Sequence, residues 1–291
     1  MRSREPVLRD ICDTARWVAM YRARETERPD ACFRDPYARL LAGERGEEIL
    51  RRMPGARFSA WPTVVRTCLF DEMILRCVER DGVDTVLDLG SGLCTRPYRL
   101  PLPAGLRWIE VDLPGILSCK DEKLSGVRPR CCRESVKMDL RDLSARRAFL
   151  ARIAAPSQKA VVVTEGFLGY LAEEEVASLA RDLHDQAAFR WWILDLASPL
   201  LLKRLRRSYR RVLAEANAPL RFAPEEGTGF FATLGWKEVE FRSTWEESRR
   251  LRREMPMAWI FRLLARMVSP RRREMFRRLG ATVLLERQVV S

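Results

Sequence analysis

Three observations predict that this chain folds as an α/β protein with a mostly parallel sheet covered by helices on both faces. First, it contains five short apolar runs rich in β-branched or aromatic residues: DTVLDLG, LRWIEVDL, ESVKMDL, KAVVVTEGF and FRWWILDLA. Second, segments with helical periodicity, such as EEEVASLARDLHDQAA, alternate with these runs. Third, the runs do not alternate apolar and polar residues, which is typical of strands buried on both faces.

The segment from about Asp10 to Arg80 precedes the first of these runs and has a helical pattern. Apolar residues lie three and four apart in DTARWVAMYRARE and VVRTCLFDEMILRCVER, and RPD, RDP, MPG and WPT separate the helical stretches. We therefore predict a helical cap over residues 1–80 and a core over residues 81–291, joined in one structural unit.

Two further runs near the C-terminus, WKEVEFR and TVLLERQ, are also strand-like. They are separated by a long basic stretch, so they cannot form a tight hairpin. We predict that they form the antiparallel edge of the same sheet.

Length and composition place the chain among globular proteins. Its 291 residues are 47% apolar, which is enough to bury a sizeable core. It contains no run of roughly 18 apolar residues and no apolar run of signal-peptide length at its N-terminus, so we expect no membrane span and a cytoplasmic location. The net charge of +13 is spread among 40 acidic residues, which favours an arginine-rich surface, and no nucleic-acid partner is expected.

Cysteine and histidine usage argues against a metal centre. The eight cysteines include no CxxC pair, and in a reducing compartment such scattered thiols stay free. The single histidine, His184, lies in a helical segment and is expected to pack there. We therefore expect no metal site.

The stretch VDTVLDLGSGLCTRPYRL, Val83 to Leu100, forms the turn after the first strand. Asp88 ends the apolar run, while Gly90 and Gly92 permit a sharp turn that a ligand can approach closely. Asp112 closes the next strand 22 residues after Gly90. At that spacing a carboxylate can accept hydrogen bonds from both hydroxyls of an adenosine ribose.

Two cofactor classes share this geometry. A dinucleotide fingerprint requires a third glycine at position 95, where this chain has Thr95, and Pro97 follows. S-adenosylmethionine has adenosine but no phosphates, so it needs only the tight turn and the ribose carboxylate. The turn therefore favours S-adenosylmethionine over a nicotinamide dinucleotide, and an ordinary strand-to-helix turn is the alternative without a ligand.

Six motifs carry a resemblance to a known family. They occur in the order TARWVAMYRARETERPDACFRDPYA, RTCLFDEMI, VLDLGSGLCTRPYRL, RWIEVDLP, KMDLRDL and TEGFLGYL. The chain resembles the leucine carboxyl methyltransferase family from about Thr14 to Tyr170, and more thinly to the last strand. It is most similar to the bacterial branch that contains tetracenomycin-type polyketide O-methyltransferases. The resemblance implies a Rossmann-like class I S-adenosylmethionine-dependent methyltransferase fold and a role in secondary metabolite biosynthesis.

The resemblance also implies roles for two arginines in the cofactor site. Arg66, in RTCLFD, matches the arginine that pairs with the methionyl carboxylate of S-adenosylmethionine, and a planar guanidinium suits a carboxylate. Its alternative is a surface arginine paired with a nearby acid such as Asp71. Arg22, in YRARE, matches a second basic position of the same pocket.

Further roles fall at the strand ends. Asp112 matches the ribose acceptor, while Asp139 and Leu140 match a pair that contacts the adenine ring, with capping of the strand end as the alternative. Glu165 matches a glutamate beside the methionine amino group, and Tyr170 lies just beyond it as a candidate lining residue of the acceptor site. Together with Asp88, Gly90 and Gly92, these residues form the predicted site.

One residue departs from the family pattern. Cys94 stands where the family usually has Asp, which removes a possible local hydrogen bond. Since Gly90, Gly92, Thr95 and Arg96 remain, we expect cofactor binding to be retained.

These observations predict an S-adenosylmethionine-dependent O-methyltransferase for a small-molecule acceptor, with a helical lid inserted around residues 198–230. A carboxylate of a polyketide-like metabolite is the first choice of acceptor, because carboxylate methylation needs no general base. A phenolic or enolic hydroxyl is the second choice, and a protein C-terminal carboxylate is a third.

Partners and competing classes follow from the basic segments. An acidic carrier protein could dock near Arg271 to Arg278. Two other classes of protein compete with this interpretation. One is a nicotinamide-dependent oxidoreductase. The other is a basic protein that binds nucleic acid or a membrane surface through WIFRLLARMVSPRRREMFRRL.

Overall fold

The computed structural model of the chain describes residues 6–216, 219–258 and 269–288, and a seven-stranded sheet forms its centre. The strands are β1 (Thr85–Leu89), β2 (Arg107–Asp112), β3 (Cys132–Lys137), β4 (Ala160–Thr164), β5 (Phe189–Ala197), β6 (Trp236–Ser243) and β7 (Gly280–Arg287). Their order across the sheet is β3-β2-β1-β4-β5-β7-β6. The first five strands are parallel, as predicted.

The two late strands join the same sheet, as predicted, but their arrangement is more specific than the sequence indicates. β7 lies between β5 and β6 and runs antiparallel to both. β6 is therefore the outer edge strand and runs in the same direction as β5. β7, the last described strand of the chain, therefore lies inside the sheet and not at its edge.

Three helices precede the sheet: α1 (Ile11–Thr26), α2 (Ala38–Arg52) and α3 (Ala56–Glu79). Asp10 caps α1 by accepting a hydrogen bond from the Asp13 N–H, which satisfies one of the free donors at the helix start. α1 and α2 pack together, and α3 packs on the sheet through Phe70, Met73 and Ile74. The helical interpretation of residues 10–80 is thus confirmed.

The other α-helices of the described residues lie between the strands in the chain. They are α4 (Arg96–Arg99), α5 (Pro114–Lys123), α6 (Leu143–Ala154), α7 (Glu173–His184), α8 (Pro199–Glu215), α9 (Gly229–Ala232), α10 (Thr244–Arg250) and α11 (Pro270–Arg277). α6 and α7 cover one face of the sheet, and α3 covers the other. Among the described helices, none combines the length and apolar character needed to cross a lipid bilayer.

The carboxyl ends of the five parallel strands meet at one edge of the sheet. β1 lies at the point where the strand order reverses, because β2 is on one side of it and β4 on the other. In open α/β sheets a crevice forms at this point, beyond the strand ends. Four acidic residues lie at or next to this edge: Asp88, Asp112, Glu165 and Asp195. A ligand site is therefore expected there.

Candidate functional site

The turn after β1 is hydrogen-bonded to the end of β2. Gly90 and Gly92 have φ values of 69° and 52°, in the left-handed region that favours glycine. The Gly90 N–H donates to the Val111 carbonyl at 2.8 Å, and the Gly92 N–H donates to Asp112 Oδ2 at 2.7 Å. Both glycines thus bond the end of β2, and Gly92 contacts the predicted ribose acceptor itself.

Asp112 is held by backbone donors. Its Oδ1 accepts the Leu113 N–H at 2.7 Å, while Oδ2 accepts the Gly92 N–H. Burial raises the pKa of Asp112, and these two N–H groups act in the opposite direction. Each carboxylate oxygen has a second lone pair, so the group can still accept two hydroxyl hydrogen bonds.

The face of the turn is covered by Phe167. A Cβ on Gly90 would lie 2.5 to 2.8 Å from the ring and Cβ of Phe167, so no larger residue fits at this position. The next residue, Ser91, has a buried hydroxyl that shows no hydrogen-bond partner within the described part of the chain. The turn thus combines a close backbone approach with one unsatisfied buried hydroxyl.

Arg66 projects from α3 to the ends of β4 and β5. Its Nε donates to Glu165 Oε1 at 3.1 Å, and its Nη1 donates to Asp195 Oδ2 at 3.2 Å. The side chains of Glu165 and Asp195 are 14% and 27% exposed, so both carboxylates border the crevice. The hydrogen bonds of Arg66 use Nε and Nη1, and Nη2 has no acceptor among the described residues.

A second arginine reaches Glu165 from the other side. Arg96 Nη1 lies 2.6 Å from Glu165 Oε2, and Arg96 Nε donates to Asp71 Oδ1 at 2.7 Å. Asp71 also accepts from both Nη atoms of Arg99 at 2.7 Å. Asp71 therefore pairs with Arg96 and Arg99 rather than with Arg66.

This chain of contacts is electrically balanced. Three guanidiniums, those of Arg66, Arg96 and Arg99, face three carboxylates, those of Asp195, Glu165 and Asp71. Burial alone would raise the pKa of Glu165, but Arg96 and Arg66 outweigh it and lower that pKa to about 2. Glu165 is therefore ionised at neutral pH.

Arg22 ties α1 to the same turn. Its Nε donates to Asp35 Oδ2 at 2.9 Å, and its Nη2 donates to the Leu93 carbonyl at 2.6 Å. Asp35 Oδ2 also accepts from Thr95 Oγ1 at 2.7 Å. Arg22 is buried in these contacts, and its role beside the methionyl group stays a prediction.

Asp139 and Leu140 follow β3 at the same edge but differ in environment. Asp139 is paired with Arg141 at 2.7 Å, and its side chain is 42% exposed. The Arg141 hydrogen bond is the main cause that lowers the pKa of Asp139. Leu140 is buried in the core beside α6, so Asp139 is accessible to a ligand while the Leu140 side chain packs inside the protein. Their contact with adenine stays a prediction.

Tyr170 lies between the carboxyl edge and the helical cap. Burial raises the pKa of its hydroxyl, so the group stays protonated at neutral pH. Its ring packs in a cluster with Trp17 of α1 and Tyr209 of α8. Tyr209 makes an edge-on contact with Trp17, with ring centroids 5.6 Å apart, and its hydroxyl is hydrogen-bonded to Ser59. This part of α8 thus packs on the cap beside the site.

A buried polar cluster lies beneath the turn. Asp88, Cys94 and Glu110 have side-chain ligand atoms within 4.8 Å of one another, and all three are buried. Both Glu110 oxygens are already paired, with Lys120 Nζ at 2.5 Å and Arg133 Nε at 2.7 Å. Burial raises the pKa of Cys94 to about 12, so its thiol is not a nucleophile at neutral pH.

Asp88 occupies the buried centre of this cluster. It is 2% exposed, and its Oδ2 shows no hydrogen-bond partner among the residues the structure describes. Burial and the charge of Glu110 raise the pKa of Asp88 to about 7, although Arg96 and Lys120 oppose them. Asp88 is therefore a buried carboxyl next to the turn, and its predicted contact with a cofactor stays a prediction.

Sequence reasoning did not single out Asp195 as a site residue and named Arg96 only as part of the turn. A signal for both was present. Asp195 ends an apolar run, as Asp112 does, and Arg96 follows the glycine turn directly. The sequence pattern does not predict which of these residues contact one another, because Arg66, Arg96 and Asp195 come from separate parts of the chain.

Comparison with known proteins identifies a family. The family model of the leucine carboxyl methyltransferases matches residues 15–184. That range begins in α1 and ends with α7, so it contains β1 to β4 and the glycine turn. The match covers more than half of the chain.

Relatives of known sequence agree with this match. A protein of Saccharopolyspora erythraea named "putative S-adenosyl-L-methionine-dependent methyltransferase" is 37% identical over 183 residues, 60% of this chain and 63% of its own length. A protein of Frankia alni with the same description is 34% identical over 240 residues, covering 78% of this chain and 83% of its own. The aligned part of the chain thus spans less than two thirds of the first relative.

Solved structures show the same fold. A DUF574 family protein of Streptomyces avermitilis has a TM-score of 0.57 at 14% identity, over 94% of this chain and 97% of its own. A protein of Thermobifida fusca described as a "putative methyltransferase" has a TM-score of 0.56 at 15% identity, over 97% and 96%. With the observed strand order, these likenesses confirm the predicted Rossmann-like class I methyltransferase fold.

The raised pKa of Asp88 predicts a pH dependence of stability. In the unfolded chain this carboxyl has its ordinary pKa of 3.8, whereas in the fold the pKa is about 7. The folded state therefore binds the proton more tightly, and the free energy of unfolding should rise as the pH falls from 8 to 5, by at most about 1.4 kcal/mol per pH unit.

Asp88→Asn should remove this pH dependence. The measurement is urea unfolding of the wild type and the variant between pH 5 and 8, with His184→Gln as the control for the chain's one histidine. An unchanged pH profile in Asp88→Asn would show that Asp88 is not the titrating group.

Proposed function

Since the chain belongs to the leucine carboxyl methyltransferase family, we propose that it is an S-adenosylmethionine-dependent O-methyltransferase that acts on the carboxylate of a small molecule. One observation carries the proposal. At the carboxyl edge of the sheet, the glycine turn is hydrogen-bonded to Asp112, and Arg66 is hydrogen-bonded to both Glu165 and Asp195.

The residues of this edge suit the parts of S-adenosylmethionine. Asp112 retains lone pairs for the ribose hydroxyls, and Arg66 Nη2 is available for the methionyl carboxylate. Glu165 is ionised and borders the crevice, so it can accept a hydrogen bond from the methionine amino group. Ser91 adds a buried hydroxyl that has no partner in the described structure.

The chemistry then depends mainly on placement. S-adenosylmethionine supplies a methyl group on a sulfonium, which is displaced in line by a nucleophile. The chain's own residues orient the two reactants and exclude water, and such orientation alone can lower a barrier by several kcal/mol. Tyr170 is protonated, and its hydroxyl is hydrogen-bonded to Thr14, so its fixed ring can help to line and orient the acceptor.

The charges around the site favour a carboxylate acceptor. A phenol needs a base or a strong positive field, because its ordinary pKa is about 10. Glu165, with a pKa of about 2, is a poor base, and Asp195 is paired with Arg66. His184 bonds the Gln288 carbonyl just after β7, which runs antiparallel to β5. It therefore lies at the end of the sheet opposite to the carboxyl ends of the parallel strands.

The segment from residue 198 to 230 supports the proposed acceptor lid. Val212 of α8 and Ala216 just after it are buried against residues of the N-terminal segment, and Tyr209 contacts Trp17. Residues 217 and 218 lie outside the described part of the chain. The helix therefore bridges the cap and the region around Tyr170, where an acceptor would approach the methyl group.

Ligand binding tests the cofactor assignment. S-adenosylhomocysteine at about a hundred times its dissociation constant should stabilise the fold by roughly 2.7 kcal/mol. NAD at the same concentration should have no comparable effect, since Thr95 replaces the glycine that a dinucleotide needs. The measurement is thermal unfolding with each ligand, and a shift with NAD alone would refute the assignment.

The methylated product tests the acceptor class. We expect an extract incubated with labelled S-adenosylmethionine to yield a methyl ester, which mild alkali releases. Because a carboxylic acid is already ionised near neutral pH, single-turnover transfer should be nearly constant from about pH 6 to 9. An alkali-stable product with a rate that rises about tenfold per pH unit would instead indicate a phenolic or enolic acceptor.

The basic helices support the proposal that an acidic carrier protein delivers the acceptor. Arg271, Arg272 and Arg273 of α11 are exposed, and within the described ranges they show no acidic partner, whereas Arg277 and Arg278 pair with glutamates. Residues 259–268, which belong to the same predicted basic segment, lie outside the described residues. α8 exposes Lys203, Arg204, Arg207 and Arg210 as well.

Salt dependence tests this partner. An acidic acyl carrier protein should bind the chain at low ionic strength and weaken steeply towards physiological salt. Replacing Arg271, Arg272 and Arg273 by serine should weaken binding at low salt. The control replaces Arg51, Arg80 and Arg190, which are exposed elsewhere, and so removes the same charge. Equal losses in both triple variants would refute a specific surface.

A further inference from the structure

Four acidic residues lie at or next to the carboxyl edge: Asp88, Asp112, Glu165 and Asp195. Of these four, Asp195 is the one to which neither the motifs nor the family resemblance gives a role. We propose that Asp195 is a positioning residue that fixes the Arg66 guanidinium for the methionyl carboxylate of S-adenosylmethionine. This inference rests on the proposed function and deepens it.

The register of the sheet explains why Asp195 can do this. Thr164 of β4 pairs with Leu194 of β5, so the next residue along each strand brings Glu165 beside Asp195. Two carboxylates side by side at the ends of neighbouring strands repel each other unless a cation lies between them. Arg66 is that cation, since it contacts both.

Asp195 fixes the loop as well as the arginine. Its Oδ1 accepts the Gly166 N–H at 2.6 Å, while its Oδ2 accepts from Arg66 Nη1 at 3.2 Å. Gly166 has a φ of 65°, and a Cβ there would lie 3.0 Å from Arg66 Nη1 and 3.2 Å from Nη2. The guanidinium thus packs closely against Gly166. The Asp195 carboxylate therefore fixes both the Arg66 guanidinium and the Gly166 backbone on which it packs.

The energetic benefit is preorganisation. Fixing a free arginine side chain costs rotamer entropy. Because Glu165 and Asp195 hold Arg66 through Nε and Nη1, this ordering is complete before a ligand arrives, and Nη2 remains as the donor. Without the Asp195 charge, Arg66 keeps only its contact with Glu165.

The test compares two ligands that differ in the methionyl part. S-adenosylhomocysteine has the amino-acid group, whereas 5′-methylthioadenosine has only the adenosine and the thioether. By calorimetry, Asp195→Asn should weaken S-adenosylhomocysteine about tenfold. It should leave 5′-methylthioadenosine within about twofold, and it should have no further effect on S-adenosylhomocysteine in an Arg66→Ala background.

Two further variants control for stability. Asp182→Asn removes a buried aspartate that pairs with Arg146 and Arg147 between α6 and α7. It should lower the melting temperature without changing either affinity. Gly166→Ala, whose Cβ would press on Arg66, should weaken S-adenosylhomocysteine selectively, and it replaces Asp195→Asn if that variant does not fold.

The outcomes separate this inference from the function on which it rests. Equal weakening of both ligands by Asp195→Asn, or no weakening of either, would overturn the positioning role while the cofactor assignment stands. A full additional loss in the Arg66→Ala background would overturn it as well. Failure of the wild type to bind S-adenosylhomocysteine would refute the proposed function itself.

Discussion

Repulsion between neighbouring carboxylates at the carboxyl edge of the sheet is the constraint on which the site depends. Parallel register places Glu165 beside Asp195, and an uncompensated charge at such a half-buried position is costly. Arg66 from α3 lies between them, and Arg96 supplies a second positive charge beside Glu165. The helix before the sheet is thus tied to strands that follow it by about a hundred residues. Cap and core are therefore coupled at the proposed site.

The same kind of pairing recurs at two other buried acidic residues, Glu110 within β2 and Asp71 within α3. Glu110 of β2 is paired with Lys120 and Arg133, and Asp71 of α3 is paired with Arg96 and Arg99. Buried ion pairs contribute little net stability, because desolvation offsets much of the attraction, but removing one partner is strongly destabilising. We infer that these arginines serve mainly to fix geometry, which explains part of the chain's high arginine content without a nucleic-acid partner.

The sequence predicts features that depend on local pattern. Buried apolar runs identify the strands, and Gly90, Gly92 and Asp112 identify the turn, because glycine freedom and strand-end acids are local properties. The position of β7 between β5 and β6 is not local, since it depends on how distant segments pair. The same holds for Arg66: the sequence offers Asp71 as a partner nearby, but the fold brings Glu165 and Asp195 to it instead. The contact of Phe167 with Gly90 is likewise visible only in three dimensions.

The account's central claim is that Arg66, held by Glu165 and Asp195, receives the methionyl carboxylate while Asp112 receives the ribose. The most direct measurement is a crystal structure of the chain with S-adenosylhomocysteine. We expect the ligand carboxylate within roughly 3 Å of Arg66 Nη2, both ribose hydroxyls on Asp112, and the contacts of Arg66 with Glu165 and Asp195 intact. A ligand bound elsewhere, or an Arg66 side chain turned away from the ligand carboxylate, would contradict the claim.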